Sequence, residues 1–384
     1  MNLTKIFFVA PISLQRPHGV SVYSLELIKG LLKSGKCKIG LLTISPEEKP
    51  LDSYKDLAGC LTMEGPKNYH WNPWFLNSVW MNKIKEKFGQ PDFVHFHGLY
   101  EPFEAALASL AKHHGWNYIV SSHGGFHPCA QARKPFKKAI GNVLFSNKFI
   151  RDATAIHVLN DQERAAVTKR FRNSQIFNLP NGVNDDFFQA PVVGPATKKE
   201  GLTFGFIGRI DIKNKGIDLL LEAIIKLQRI RDVAKIKFIF AGPFHSQNDE
   251  NIFKTYLKKM QYPQMVMHHG VVLEDKKQQF MDSFDVFLYT SRHEGMPGAV
   301  LEAMARAVPC LVTPGTNMQS IIKESEGGWV CDCSAESIFD SLCHIIDSSA
   351  EIPHKGEKAK YFIGDNFLWS KISERYLSQI SRLK

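Results

Sequence analysis

At 384 residues, with 44% apolar residues and a formal net charge of +10, the chain is long enough for two ordinary domains and has the make-up of a globular protein. No apolar run approaches the roughly 18 residues of a membrane span, and the early IFFVA is short enough to be a first strand rather than a signal peptide. Seven scattered cysteines argue against a disulfide framework, Cys331 and Cys333 lack the second pair a zinc site needs, and a reducing cytoplasm fits best.

In chain order, KIFFVA (5–10) is the first expected strand, followed by the glycine-containing loop RPHGVSVYS and a helical pattern over 21–35 closed by glycine. A strand over 38–44 comes next. NYHWNPWFLNSVW (68–80) concentrates Trp71, Trp74 and Trp80, for which sugar stacking, insertion at a membrane interface and core packing all remain open. Strands over 92–98, 117–124 and 154–160 alternate with helical patterns, among them 101–115. PNGVNDDFF leads into 189–201, a Pro- and Gly-rich stretch that reads as a linker. A second round then opens with strands over 202–209, 235–242, 264–270, 285–291 and 308–313. Such alternation in both halves implies two doubly wound parallel sheets with a cleft between them. The last segment, 366–384, is a basic amphipathic helix long enough to pack back across the linker.

The charge is unevenly shared: residues 1–190 carry +8 and residues 191–384 carry +2. The densest basic run is 133–151, where Arg133, Lys134, Lys137, Lys138, Lys148 and Arg151 flank Ile140, Val143, Leu144 and Phe145. A helix of this kind can lie on an anionic membrane surface, at the cytoplasmic face, or can be the solvated side of a helix packed into its domain.

Chemistry concentrates in the second half. In EGMPGAVLEAMA (294–305), Glu294 sits in a glycine-rich loop and Glu302 in the helix that follows. Gly295 and Gly298 allow close backbone approach, Pro297 suits a first helical turn, and the helix N-terminus favours an anion. Ala299, Val300, Ala303, Met304 and Ala307 are expected to form the helix's apolar face. Upstream, GRIDIKNKG (208–216) follows the first strand of that half, and its Arg209 and Lys215 beside backbone N–H groups suit a diphosphate. Arg209, Lys215, Glu294 and Glu302 all fall at carboxyl ends of strands in one sheet, where ligands bind in such folds.

GFIGRIDIKNKGIDLLLEA, FIFAGP, HHGVV and YTSRHEGMPGAVLEAMARAVPCLVT together resemble the donor-binding domain of retaining glycosyltransferases of family 4, which have the GT-B fold. PNGVN is similar to the family's entry into the linker, with Asn184 where Asp is more usual. That resemblance implies an α/β fold of two Rossmann-like domains facing a cleft: acceptor domain 1–188, linker 189–201, donor domain 202–365, and 366–384 crossing back onto the first. It implies that Arg209 and Lys215 bind the donor diphosphate, Glu302 the ribose, and Glu294 with the backbone of Gly295, Met296 and Pro297 the sugar. Val271 and Val272 would border the nucleobase. His18 and Gly19, standing where many relatives have two glycines, would contact the acceptor. His123, in SSHGGFHP, would meet the donor sugar and the acceptor at the cleft, ahead of His95, His97 and His127, and with Glu294, Arg209 and Lys215 would make up the catalytic set.

The expected activity is retaining transfer of a hexosyl unit from a UDP- or GDP-linked sugar to a glycan or lipid-linked acceptor in surface polysaccharide assembly. No metal or other cofactor is expected, since no Asp-x-Asp motif occurs and the cations take its place, and no nucleic-acid partner is expected. A UDP-sugar 2-epimerase of the same fold and a basic membrane-surface binding protein are the rival readings.

Overall fold

The structure, a computed structural model, describes residues 3–12, 19–43, 57–65, 73–126, 131, 135–172, 174–192, 201–272 and 274–383, with backbone alone for 73–77, 135, 274 and 275. The chain divides into two compact units: Met1–Gly182 with Trp369–Lys384, and Val183–Leu368.

The first unit is built on a seven-stranded sheet in the order β3-β2-β1-β4-β5-β6-β7. Its strands are β1 (Thr4–Ala10), β2 (Cys37–Thr43), β3 (Leu61–Glu64), β4 (Phe93–Phe96), β5 (Asn117–Ser121), β6 (Ala155–Val158) and β7 (Ile176–Asn178), every pairing parallel. Ile6 to Ala10 are wholly buried, as a central strand covered by helices on both faces requires; continuous rather than alternating apolar character follows. The helices Gly19–Ser34 and Pro102–His113 stop where Gly35 and Gly115 turn left-handed, at φ 62° and 72°. The last helix, Trp369–Ser381, packs on Gly19–Ser34. Gly30 makes that approach possible, since a Cβ there would stand 2.1 Å from Ser373 Oγ.

In the second unit the order is β10-β9-β8-β11-β12-β13, again all parallel. These strands are β8 (Leu202–Ile207), β9 (Ile236–Ala241), β10 (Val266–Gly270), β11 (Val286–Tyr289), β12 (Cys310–Val312) and β13 (Gly328–Val330). In both sheets the first strand lies inside, and the winding direction reverses beside it, between β1 and β4 and between β8 and β11. Such a switch point opens a crevice at the carboxyl ends of the strands.

Several expectations are corrected in detail. Pro297 is not in the first helical turn: its ψ of 114° makes it the N-cap of the helix Gly298–Ala305. Ala307 lies beyond that helix with φ 59°, and the buried face is Val300, Leu301, Ala303, Met304 and Ala305. The strands β3, β7 and β13 and the helix Pro73–Lys87 were not anticipated. Within 133–151, residues 133 and 134 lie outside the described residues, and the remainder forms the helix Pro135–Gly141, a π turn Asn142–Ser146 and the helix Asn147–Arg151. Trp71 lies outside the described residues, while Trp80 packs against the first unit's core.

The unit boundary falls at Gly182/Val183, against the expected 188. Asn184 accepts hydrogen bonds from Asp186 N (2.8 Å) and Phe187 N (3.3 Å), capping the helix Asp185–Gln189. That helix is gripped by the second unit: Arg306 donates to the carbonyls of Phe187 (3.1 Å), Ala190 (2.6 Å) and Pro191 (2.8 Å). Residues 193–200 of the expected linker lie outside the described residues.

Candidate functional site

Two loops meet where the second sheet reverses. After β8 the chain runs through residues 208–216 into the helix Ile217–Ile230. Gly216 has φ 63°, and a Cβ there would stand 2.1 Å from Thr290 O, so the loop lies directly against the end of β11. Arg292 braces this contact from the other loop. Its guanidinium donates to both Asp218 carboxylate oxygens, at 2.6 and 3.1 Å, and to Lys213 O at 2.6 Å.

Within that frame Lys215 Nζ donates to the Tyr289 hydroxyl (2.9 Å) and pairs with the Glu294 carboxylate. Glu294 Oε1 also accepts from Ser291 Oγ at 2.9 Å. The backbone around Glu294 is fixed by Asn317, whose Nδ2 donates to the carbonyls of Glu294 (2.7 Å) and Gly295 (3.1 Å). Burial alone pulls the Lys215 ammonium toward its neutral form, but the Tyr289 oxygen and Glu294 more than reverse this and the net direction is upward. Burial, then the Glu294 charge, pushes the Tyr289 hydroxyl up to about 12. The cation is therefore fixed in place and charged throughout the physiological range.

Arg209 is exposed at the start of the same loop, with no side-chain ion pair among the described residues. Glu302 lies one turn into Gly298–Ala305, and its Oε1 accepts from Lys277 Nζ at 2.8 Å. Its Oε2 is buried without a hydrogen-bond partner among the described residues. An orphaned buried carboxylate oxygen costs about 1–3 kcal/mol, so it is a ready acceptor for an incoming hydroxyl. Met296 and Pro297 are buried and Gly295 half-buried. Val271 and Val272, just past β10, border a separate pocket of about 380 Å³ that also holds His269 and Phe280, whose ring centroids are 4.5 Å apart.

Lys215 and Glu294 are thus in contact, while Arg209 and Glu302 flank them on the same sheet edge. Tyr289, Ser291, Lys277 and Asn317 belong to the site and were missed from sequence. Tyr289 ends a buried strand and carries the same signal as any core aromatic.

In the first unit, His18 and His127 lie outside the described residues, and Gly19 begins the helix Gly19–Ser34 in an exposed position. His123 follows β5 with φ 45°, and its Nε2 stands 3.0 Å from His97 Nδ1. Ser24 Oγ donates to Val20 O (2.8 Å) and faces His97 Nδ1 at 2.9 Å. A second chain of contacts fixes its own tautomers. Leu179 O can only accept, so His157 Nε2 carries a proton toward it at 2.8 Å. Its Nδ1 then accepts from Ser121 Oγ (2.6 Å), which accepts from His95 Nε2 (2.7 Å), whose Nδ1 accepts from the Tyr376 hydroxyl (2.9 Å). His95 and His97, expected as lesser candidates for sugar contact, are fully buried, His95 within this second chain and His97 within the first.

Burial holds the cluster neutral, pulling His95 and His97 well below the usual histidine range, with the neighbouring imidazoles adding to it, and bringing His157 down to about 4. Because these imidazoles bind fewer protons in the folded state than in the unfolded chain, their contribution to stability is complete above about pH 6.5 and is lost as pH falls toward 4. His157 alone accounts for up to ~3 kcal/mol of this. Urea unfolding at pH 7 and pH 5 is expected to show a lower midpoint at pH 5, with a smaller drop in His157→Gln; an equal drop in that variant would contradict the assignment.

Family models match both halves: "Glycosyltransferase Family 4" over residues 17–187 and "Glycosyl transferases group 1" over residues 201–348. The chain is similar to the putative teichuronic acid biosynthesis glycosyltransferase TuaC of Bacillus subtilis, at 27% identity across 70% of this chain and 64% of that protein. It is also similar to the GDP-mannose:cellobiosyl-diphosphopolyprenol alpha-mannosyltransferase of Xanthomonas campestris, at 27% identity across 57% of this chain and 55% of that one. The match therefore spans between about half and two thirds of the length of these two relatives. Among solved structures, Anabaena HepE in complex with UDP superposes with a TM-score of 0.77 at 12% identity, covering 99% of this chain and 100% of that one, a likeness of fold. With each half matched by its own domain of the family and with the GT-B fold, the chain belongs to the family 4, group 1 glycosyltransferases.

Proposed function

We propose that this protein is a retaining, metal-independent glycosyltransferase that moves a hexosyl residue from a UDP- or GDP-linked sugar to a glycan or lipid-linked acceptor in bacterial surface polysaccharide assembly. The observation that carries the reading is the Lys215, Tyr289 and Glu294 cluster at the β8/β11 switch point. A fixed ammonium there can neutralise the departing nucleoside diphosphate, the charge that develops in the transition state. Arg209, exposed on the same loop, supplies a second cation, and together the two take the place of a metal ion. Glu294, with the backbone of Gly295 to Pro297, holds the sugar, and the unpartnered oxygen of Glu302 accepts a ribose hydroxyl. The nucleobase lies against Val271 and Val272, beside the His269 and Phe280 rings. His123, with His18 and Gly19, serves the sugar and acceptor from the first unit.

The names of the relatives support a nucleotide-sugar donor, GDP-mannose in one and UDP bound in another, and a polysaccharide or polyprenol-linked product. Glu302→Ala is expected to abolish transfer while the thermal midpoint stays within a few degrees of the parent, because the residue is partly exposed and its loss relieves an orphaned oxygen. Transfer of radiolabelled sugar in the presence of a chelator measures this; full turnover by the variant would refute the ribose assignment, and loss of parental activity on chelation would refute metal independence.

A further inference from the structure

The outward face of residues 135–151 is apolar where a surface should be polar. Phe136, Ile140, Val143 and Leu144 are 85, 60, 81 and 72% exposed, and their spacing of i, i+4, i+7 and i+8 puts them on one stripe. The inward face is separate: Gly141, Ser146, Phe149 and Ile150 are buried, and Ser146 Oγ donates to Leu99 O at 2.8 Å. The π turn Asn142–Ser146 spaces Gly141 and Ser146 five residues apart, keeping both inward while the apolar stripe continues outside. Lys137 and Arg151 are exposed beside the stripe, as is Lys148. The nearby Asp152 is already paired with Lys112 (3.0 Å) and Lys148, so the rim is left cationic.

We propose that this segment is an in-plane anchor for an anionic lipid bilayer. An apolar stripe with lysines and arginine at its margins matches the depth profile of the interface, acyl chains below and phosphate headgroups level with the cations. A second copy of the chain fits less well, because a twofold contact would set Lys137, Lys148 and Arg151 against themselves. A pocket of about 430 Å³ opens beside Leu144 and Phe145, walled by Ala105, Ala106, Tyr118 and Phe149, and can receive a stretch of acyl chain. The anchor stands apart from the donor reading and needs no sugar chemistry.

Co-sedimentation of the full chain with vesicles tests it, comparing phosphatidylcholine alone with phosphatidylcholine containing phosphatidylglycerol. Binding is expected to the anionic vesicles, to weaken with salt, and to fall by roughly fivefold for each of Lys137→Glu and Arg151→Glu. The pair Val143→Ser with Leu144→Ser is expected to lose at least about tenfold, with unchanged thermal midpoints because all four side chains are exposed. The anchor is overturned if the parent ignores anionic vesicles, if the variants bind as the parent does, or if light scattering shows a dimer that Leu144→Ser dissociates.

Discussion

Replacing Lys215 with alanine is expected to lower kcat for sugar transfer by roughly 10²–10³-fold, the range found when one preorganised charge-stabilising donor is removed from an active site. The ammonium is held by the Tyr289 hydroxyl at 2.9 Å and by Glu294, so it needs no rearrangement as charge builds on the leaving phosphate. At about 4 Å and an effective dielectric near 20, such a charge pair is worth ~4 kcal/mol. Arg209 remains in the variant and limits the loss. Lys215→Arg is expected to recover little, since a planar guanidinium cannot reproduce a point charge wedged between Tyr289 and Glu294. Steady-state kinetics on folded variants measure this; turnover within threefold of the parent, against the roughly hundredfold loss expected, would remove Lys215 from the mechanism.

The largest effect on stability is expected away from this chemistry, at Arg306. Its side chain is 1% exposed, and each of its N–H groups is used: Nε and Nη2 grip Asp282 at 2.7 Å each, and the rest reach the carbonyls of Phe187, Ala190 and Pro191. Arg306→Ala strands the buried Asp282 carboxylate and three carbonyls, which should cost about 3–5 kcal/mol. For a unit of this size that corresponds to a drop in Tm of roughly 10 °C. Asp282→Ala should cost a similar amount, because it leaves the guanidinium buried without its partner. Since two units can unfold separately, the loss should appear in the transition of Val183–Leu368; calorimetry showing that transition unmoved in either variant would contradict it.

The main strands were legible because parallel strands covered on both faces are near-continuous apolar runs ended by a breaker, Pro11 after β1 and Gly208 after β8. What escaped was short or polar. In β3 only Met63 is buried, and β7 and β13 have three residues each, too few for any periodicity to register. The charged members of the site could be read because Arg209, Lys215, Glu294 and Glu302 stand in loops and helix starts where strand ends are easily placed. Tyr289 and Asn317 could not be read. Each acts only through a partner that the fold brings near, Lys215 from 74 residues away and the Glu294 carbonyl from 23. Arg306 looks from sequence like an ordinary exposed helix residue; only the course of residues 187–191 makes it an anchor. The basic segment was ambiguous for a similar reason, since charge and apolar content do not say which side of a helix faces outward.

On the proposed function, the β8/β11 switch point grips a nucleotide sugar. Calorimetric titration of the full chain with UDP-, GDP- and ADP-linked hexoses, repeated on Glu302→Ala and Lys215→Ala, tests it directly. Saturable binding of one of these donors by the parent, weakened at least about tenfold in each variant, is the predicted result. No binding of any of the three, or equal binding by parent and variants, would contradict it.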